Sequence, residues 1–460
     1  MVKKLLKLAF ISLISASLLS CGRSSDGTGS KSTPSPKPSA GTSDSGNSQA
    51  PAASDSDTTA AAPDNSSDSA AGTIKTRDTV AAKTDFISDE EMTSIVSPWP
   101  SCDNAALAAV MKKAEKGEKV TIACIGGSIT QGTITTGSSD AALGLERNCY
   151  ANIFFDWWKS TFPNTEIVTV NAGIGATDSY LGVHRVEADV LSYNPDLVLI
   201  EFSVNDENDI YHKRTYENLV RKLLIRDNAP AAMLLFMAQS NGATAQNQHQ
   251  LVGFNYKLPM VSYYALITSW LDNNRYTEKE LSGDVTHPSV LGHAVVGEIL
   301  WKYLNKVYAS LDEYTSPYEV PASLVNKPLT KEIYINASLL SAKDITPDSI
   351  EGFELTNNLS PWSDSWETNT DGSITFTAEF RNLGLLYRKY VNVNPGKYDV
   401  YIDGEFIKSL DSDFKGGWGS YAYSEEVFTS DKSTSHTVEI RKNPDSAGAD
   451  FAVNRLMISK

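Results

Sequence analysis

The hydrophobic pattern of residues 100–312 alternates between short apolar runs and longer segments with helical periodicity. The apolar side chains of residues 148–162, for example, fall on one helical stripe, and a closing helix is predicted at residues 290–311. This alternation predicts a parallel sheet covered by helices on both faces, with its working site at the carboxyl ends of the strands. The predicted strands are residues 120–125, 167–170, 197–202, 232–236 and 260–262.

From about residue 325 the helical periodicity disappears and short alternating segments appear between turns such as Asn394-Pro395-Gly396. This pattern predicts an all-β module, a two-sheet sandwich or jelly roll, at residues 325–460. Its predicted strands include residues 386–393, 398–402, 405–410, 437–441 and 451–458.

The N-terminal residues predict where in the cell the protein is located. Three lysines precede an apolar stretch at residues 8–19 that is too short for a comfortable membrane span, and this stretch runs into Cys21. We expect residues 1–21 to be a bacterial lipoprotein signal with Cys21 as the lipidated residue; the alternative is a secretory peptide with a chance cysteine. Residues 22–85 contain no aromatic residue and predict a disordered tether. The protein is then exported and lipid-anchored at the cell surface or at the outer or cytoplasmic membrane.

Charge and residue spacing exclude several classes of function. The formal net charge of −16 argues against a nucleic-acid partner. The chain has six histidines but no H-E-x-x-H or paired C-x-x-C motif, so we expect neither a metal site nor a cofactor. Beyond Cys21 an odd number of cysteines remains, which does not describe a disulfide framework, and a Cys102–Cys149 bridge stays open.

Polar residues follow three of the predicted strands. The glycine-rich residues 125–132 would leave Ser128 exposed at the start of a helix; the alternative is a turn with a serine helix cap. Residues 171–177 and 203–206 follow the next two strands, and the amide of Asn205 is suited to donate hydrogen bonds to an oxyanion. Taken alone, these two segments also fit a turn and an Asx cap.

A fourth segment, Asp284-Val285-Thr286-His287-Pro288, precedes the closing helix. Deprotonating a serine near neutral pH needs a base such as an imidazole, and a carboxylate can fix the tautomer of that imidazole. A spacing of three residues lets Asp284 fold back onto the ring of His287; the alternative is a surface pair beside a helix start. The other histidines are predicted to be structural, without a carboxylate at a suggestive spacing: His184, His212, His249, His293 and His436.

Together, these four segments resemble the ordered sequence blocks of the SGNH hydrolases, also called the GDSL family, over residues 118–312. The resemblance implies a flavodoxin-like α/β domain at residues 86–315, with Ser128 as nucleophile and His287 and Asp284 completing a triad. It also implies oxyanion donors at Asn205 and Ala176. Two departures stand out: Gly127 replaces the acidic residue before the nucleophile, and Ala176 replaces a glycine. The alternative register makes Gly175 the backbone donor.

The expected function is an extracellular serine esterase that removes O-acetyl groups from carbohydrate, with an acetylated polysaccharide or oligosaccharide as its partner. The predicted export and the appended β module favour this substrate class. Aromatic residues of the module would stack on sugar rings or fill its core: Trp362, Trp366, Trp418, Tyr421 and Tyr423. The alternatives are an acetyltransferase acting on envelope glycans, a lipid or short-chain esterase, and a non-catalytic glycan-binding lipoprotein.

Overall fold

The computed structural model describes residues 77–96, 102–316, 322–359, 361–391 and 393–460. The predicted signal peptide, the predicted lipidation site at Cys21 and the tether as far as residue 76 lie outside the described residues. Within the described ranges, no helix is both long enough and apolar enough to cross a bilayer.

A five-stranded parallel sheet forms the centre of the first domain, with the strand order β2-β1-β3-β4-β5. This order is that of a flavodoxin-like sheet, which confirms the predicted fold class. Its strands are β1 (Val120–Gly126), β2 (Ile167–Gly173), β3 (Leu197–Glu201), β4 (Ala231–Phe236) and β5 (Met260–Ser262). Its helices are α1 (Asp89–Val96), α2 (Ala105–Glu115), α3 (Ser128–Gln131), α4 (Asp140–Leu143), α5 (Tyr150–Thr161), α6 (Ser179–Asp189), α7 (Ile210–Leu224), α8 (Gln246–Tyr256), α9 (Tyr263–Asp272), α10 (Glu278–Leu281) and α11 (Val290–Ala309).

The central strands are apolar throughout because helices cover both faces of the sheet. In β1, Ile122 and Cys124 contribute to one core, whereas the alternate residues Ala123 and Ile125 contribute to the core on the opposite face. Burial of both faces fixes the sheet rigidly, so the loops at its carboxyl edge start from defined positions.

The residues before α1 pack against α2, the closing helix α11 and the turn that follows it. Arg77 bonds the carboxylates of Glu115 and Asp312, and the Val80 carbonyl accepts a hydrogen bond from the Trp301 indole at 2.9 Å. Residues 77–85 were predicted to belong to the tether. Because these residues are mostly small or polar, the sequence carries no sign of these contacts. The ordered domain begins before residue 86.

The second domain is an antiparallel nine-stranded sheet with the order β12-β11-β13-β10-β14-β9-β8, in which β6 pairs with β14 and β7 with β10. A short helix, α12 (Ala322–Val325), precedes it. Its strands are β6 (Ala337–Leu340), β7 (Ser349–Glu351), β8 (Glu354–Thr356), β9 (Ser365–Thr368), β10 (Ser373–Lys389), β11 (Lys397–Ile402), β12 (Glu405–Asp411), β13 (Tyr421–Lys442) and β14 (Phe451–Ser459).

This sheet folds back on itself into two layers. Two strands lie between β11 and β14, so a flat sheet would hold their side chains about 14 Å apart. The rings of Tyr398 on β11 and Phe451 on β14 nevertheless stack with centroids 4.3 Å apart. The long strand β10 shifts register between Phe380 and Asn382, where such a strand can bend. The predicted sandwich architecture follows from this folding.

The β domain packs on the face of the parallel sheet that carries α6 and α7. The Tyr180 hydroxyl of α6 donates to the Asn382 amide oxygen at 3.0 Å, and Lys222 of α7 donates to the Ala337 carbonyl at 2.6 Å. Gly384 is required at this interface, because a Cβ there would lie 2.2 Å from the Tyr180 hydroxyl oxygen. The β domain therefore rests on the helix that follows the loop after β2.

Candidate active site

Three neighbouring strand ends bring the predicted site residues to one edge of the parallel sheet. Gly126 at the end of β1 pairs with Gly173 of β2 on one side and with Glu201 of β3 on the other. Ser128 starts α3 directly after β1, so it lies between the loops that follow β2 and β3. These are the loops that carry Ala176 and Asn205.

The structure brings together the three residues predicted as a triad. The Ser128 Oγ lies 2.8 Å from His287 Nε2, and His287 Nδ1 lies 2.9 Å from Asp284 Oδ2. A carboxylate only accepts hydrogen bonds, so the proton of this imidazole is on Nδ1. The lone pair of Nε2 therefore faces the serine hydroxyl, which is the geometry in which an imidazole acts as a general base.

The loop carrying Asp284 and His287 is tied both to itself and to the turn after α3. Asp284 Oδ1 accepts hydrogen bonds from the backbone N–H groups of Thr286 and His287 at 2.7 and 2.6 Å. Thr135 Oγ1 accepts from the Gly283 N–H and donates to the His287 carbonyl. Partial burial acts to raise the pKa of Asp284, but the hydrogen bonds from His287 and Thr286 outweigh burial and hold that pKa below its usual value. Asp284 is thus kept as a carboxylate beside the imidazole.

The amide of Asn205 lies directly against the turn that carries Ser128. A Cβ at Gly127 would lie 2.1 Å from the Asn205 amide oxygen, so no larger residue fits at that position without moving the amide. In this chain, a side chain at the position of the family's acidic residue would therefore require the Asn205 amide to move. The Asn205 amide oxygen is buried without a hydrogen-bond partner among the described residues.

The loop after β2 distinguishes the two registers considered for the backbone donor. The Gly175 N–H already donates to the Gln131 side chain at 2.8 Å. Ala176 has a φ of 57°, the left-handed conformation that normally favours glycine and costs another residue about 1–2 kcal/mol. The backbone therefore keeps the conformation of a glycine at the position where the family has one, which favours Ala176 as the donor.

Two buried titratable side chains that the sequence analysis missed stabilise this edge. The guanidinium of Arg185 donates to the carbonyls of Gly126 and Ala172 at 2.9 and 2.7 Å, which joins the ends of β1 and β2. Glu201 accepts hydrogen bonds from the Ser203 N–H and hydroxyl at 2.9 and 3.0 Å. Burial raises the pKa of Glu201 to about 7, although the hydrogen bonds from Ser203 act in the opposite direction.

The aromatic residues predicted as sugar platforms fall into two groups. Trp362 and Trp366 are 7% and 3% exposed and belong to hydrophobic cores, so they are not available for stacking. Trp418 is 73% exposed, and its ring lies 4.9 Å from that of Tyr421. Tyr421 in turn contacts Tyr423 at 6.2 Å. These last three residues form one surface cluster, which we call the aromatic cluster.

Strand β13, on which Tyr421 and Tyr423 lie, also contacts the loop after β2. Ser424, the neighbour of Tyr423, donates to Asp178 at 3.2 Å, and Asp178 caps α6 two residues after Ala176. Burial, followed by the nearby Asp206, raises the pKa of Asp178 to about 6. The β domain thus contributes a hydrogen bond next to the candidate site.

In the described part of the chain, no group of three or more His, Cys, Asp and Glu residues is arranged to hold a metal ion. Cys102, Cys124 and Cys149 are all free thiols, so the Cys102–Cys149 bridge left open by the sequence is not formed.

The site has the geometry of a serine hydrolase built on a flavodoxin-like sheet, and comparison with known proteins agrees with this class. The model of the GDSL-like lipase/acylhydrolase family matches residues 124–295. The crystal structure of a two-domain esterase active on acetylated mannans, co-crystallised with mannopentaose, is 32% identical, with a TM-score of 0.68. The match covers 78% of this chain and 95% of that one.

A second crystal structure of a two-domain esterase active on acetylated mannans gives 32% identity and a TM-score of 0.69, over 78% of this chain and 96% of that one. A search of curated proteins gave no match. The chain therefore belongs to the GDSL, or SGNH, hydrolase family. It is an ester hydrolase with an SGNH domain and an antiparallel β domain.

Proposed function

We propose that this protein is an exported serine esterase that removes acetyl groups from a polysaccharide, with Ser128 as its nucleophile. The observation that carries the proposal is the continuous chain of short contacts from the Ser128 hydroxyl through His287 to Asp284. The substrate class is supported by the two-domain esterase active on acetylated mannans, which is similar to this chain across both domains.

In the first half-reaction, Ser128 Oγ attacks the carbonyl carbon of the acetyl ester while its proton moves to His287 Nε2. The carbonyl oxygen becomes an oxyanion, which accepts hydrogen bonds from the N–H groups of Ser128 and Ala176 and from the Asn205 amide. The tetrahedral intermediate collapses when the bond to the sugar oxygen breaks. His287 gives its proton to that oxygen, so the sugar leaves as an alcohol and Ser128 carries the acetyl group.

Water completes the cycle by the same route. His287 takes a proton from water as its oxygen attacks the acetyl carbonyl, and the oxyanion forms again at the same donors. When the intermediate collapses, the proton returns from His287 to Ser128 Oγ, and acetic acid leaves and loses its proton to the solvent to become acetate. Asp284 keeps the imidazole in the productive tautomer and stabilises the imidazolium in both halves.

The aromatic cluster supports a carbohydrate as the substrate. An exposed indole beside tyrosine rings offers flat apolar surface on which the C–H face of a sugar ring can stack. The Ser424–Asp178 hydrogen bond connects this part of β13 with the loop that carries Ala176. We propose that neighbouring sugar units of the polymer bind at this cluster while one acetyl group enters the site.

The cellular location is part of the same proposal. Residues 1–21 would direct export, and Cys21 would carry the lipid that holds the protein at the membrane while residues 22–76 provide reach. Replacing Cys21 by alanine should move the protein from the membrane fraction to the soluble fraction. Retention of the Cys21→Ala protein in the membrane fraction would contradict this anchor.

The test is acetate release from acetylated mannan and acetylated xylan, followed by NMR, with the Ser128→Ala variant as the control. We expect acetate from the purified protein and none above background from the variant. Nitrophenyl acetate, butyrate and octanoate establish the acyl preference, and acetate should be hydrolysed fastest. Preference for octanoate would indicate a lipid esterase, and transfer of acetyl to an added oligosaccharide would indicate an acetyltransferase. No Ser128-dependent turnover on any of these would refute the esterase proposal.

A further inference from the structure

A buried carboxylate joins the two loops that carry the proposed oxyanion donors Ala176 and Asn205. Asp206 follows Asn205 directly, and its Oδ1 accepts a hydrogen bond from the Ser179 N–H at 2.8 Å. Ser179 is the third residue after Ala176. The Asp206 side chain therefore connects the start of α6, close to the proposed donor Ala176, with the residue next to the other proposed donor, Asn205.

The second oxygen of this carboxylate is held from a third element. Asp206 Oδ2 lies 2.9 Å from Nε2 of His249 on α8, and both side chains are fully buried. A carboxylate accepts only, so the His249 ring donates through Nε2. The opposite nitrogen of that ring, Nδ1, is buried without a hydrogen-bond partner in the described ranges, so no further group competes for the imidazole.

The position of His249 is itself fixed by packing. The Tyr216 ring of α7 stacks on the imidazole with centroids 3.7 Å apart and an angle of 5° between the planes. The start of α8 is tied to the loop after β3, because the Ala245 N–H donates to the Ser203 carbonyl at 2.7 Å. His249 therefore transmits the position of two packed helices to Asp206.

We infer that Asp206 and His249 are positioning residues for the oxyanion hole, which together set the separation between the Ala176 N–H and the Asn205 amide. Neither residue touches the substrate. The inference rests on the proposed function, because it assigns a role to residues behind the proposed donors. Oxyanion stabilisation depends on donors that are placed before the reaction begins, and a misplacement of about 1 Å costs about 100-fold in rate.

The test compares two substitutions at His249 with one at a different aspartate–histidine pair, in the β domain. His249→Met keeps much of the volume but removes the donor, whereas His249→Gln keeps an N–H that can reach Asp206. We expect kcat on nitrophenyl acetate to fall by about 10- to 100-fold in His249→Met with KM unchanged, and to recover in part in His249→Gln. The control is His436→Met in the β domain, where His436 pairs with Asp403 at 2.7 Å; its kcat should be unchanged.

A double-mutant cycle separates positioning from loss of stability. If His249 acts through the oxyanion donors, His249→Met should cost much less in an Asn205→Ala background than in the unsubstituted protein. An equal loss in both backgrounds, or an unchanged kcat in folded His249→Met, overturns the inference. Should His249→Met not fold, His249→Asn, which shortens the reach of the donor, is put through the same cycle.

The outcomes also distinguish this inference from the proposed function. Ser128-dependent hydrolysis that is insensitive to His249 overturns the inference alone. Hydrolysis that does not depend on Ser128 overturns the proposed function, and the inference with it.

Discussion

Two aspartate–histidine pairs lie in or near the candidate site. They have the same nitrogen–oxygen distance but differ in burial. In the pair Asp284–His287 the side chains are 47% and 22% exposed, whereas those of Asp206–His249 are fully buried. Both contacts measure 2.9 Å. The same two residue types therefore occur once where His287 contacts a serine hydroxyl and is partly open to solvent, and once in a fully buried position.

The difference shows that the surroundings, not the pair itself, decide what an aspartate–histidine contact can do. His287 has the Ser128 hydroxyl on its second nitrogen, so it can receive a proton as the serine attacks. The second nitrogen of His249 has no partner within the residues described, and a change of charge there would be costly in a fully buried site. The exposed pair is suited to chemistry and the buried pair to holding a structure.

A third pair shows how little sequence spacing alone can decide. Asp209 precedes His212 by three residues, as Asp284 precedes His287, and the two side chains are 3.0 Å apart. The expectation that the remaining histidines lack a carboxylate at such a spacing is thus wrong for His212. No serine hydroxyl bonds His212 in the described part of the chain, and Asp209 caps α7 instead.

The largest expected effect is the loss of activity when the exposed pair or its serine is removed. His287→Ala and Ser128→Ala should each lower kcat/KM by about 10⁴-fold or more, because the base and the nucleophile act as one unit. Their thermal unfolding should stay close to that of the unsubstituted protein, since His287 is partly exposed. Steady-state kinetics and calorimetry on the same preparations check both statements. A loss of less than tenfold in His287→Ala would contradict its role as the base.

The next effect concerns the glycine on which Asn205 rests. Gly127→Asp restores the acidic residue of the family pattern, yet we expect kcat to fall by about 100-fold or more, because the new side chain displaces the Asn205 amide. The control is the same substitution in an Asn205→Ala background, where it should cost far less. Unchanged activity of the single variant would mean that the amide of Asn205 does not take part.

A buried carboxyl beneath the site should make stability depend on pH in a defined direction. Burial raises the pKa of Glu201 from 4.5 to about 7, so between these values the folded state keeps a proton that the unfolded state loses. The free energy of unfolding therefore falls by about 3 kcal/mol as the pH rises from about 4.5 to 7. Glu201→Gln should remove this dependence.

Differential scanning calorimetry at several pH values gives the difference in unfolding temperature between Glu201→Gln and the unsubstituted protein. This difference isolates the contribution of Glu201 to the pH dependence. The gap in unfolding temperature should shift in favour of the variant as the pH rises. A gap that is constant across this range would show that Glu201 does not keep its proton in the folded state.

The smallest expected effect tests the strained donor loop. Ala176→Gly retains the backbone N–H and relieves the left-handed conformation, so kcat should stay within a few-fold and stability should change by about 1 kcal/mol or less. Kinetics and thermal unfolding measure both quantities. A loss of activity above tenfold would show that the alanine methyl group, and not only its N–H, matters to the site.

The sequence predicted those parts of the molecule that are encoded locally. The apolar runs at 120–125, 197–202 and 260–262 correspond closely to β1, β3 and β5, because buried parallel strands are continuously apolar. The β domain was predicted less well. The predicted strand 437–441 is only the end of β13, whose middle is polar and partly exposed, and therefore lacks a strand pattern.

In the candidate site, too, the residues within short local segments were predicted and those that meet only in the folded chain were not. Ser128 and the Asp284–His287 pair each lie within a short segment whose residues already suggest a chemical role. Asp206 and His249 are 43 residues apart and meet only in the folded chain, so no spacing could have indicated their contact. Arg185 is similar, because its partners are backbone carbonyls that have no sequence signature.

The most direct measurement is covalent labelling with a serine-directed fluorophosphonate, followed by intact mass and peptide mapping. We expect one adduct per chain, located on Ser128, absent in Ser128→Ala and formed much more slowly in His287→Ala, while the β-domain control His436→Met reacts normally. An adduct on another serine, or labelling of Ser128 at an unchanged rate in His287→Ala, would contradict the assignment of nucleophile and base.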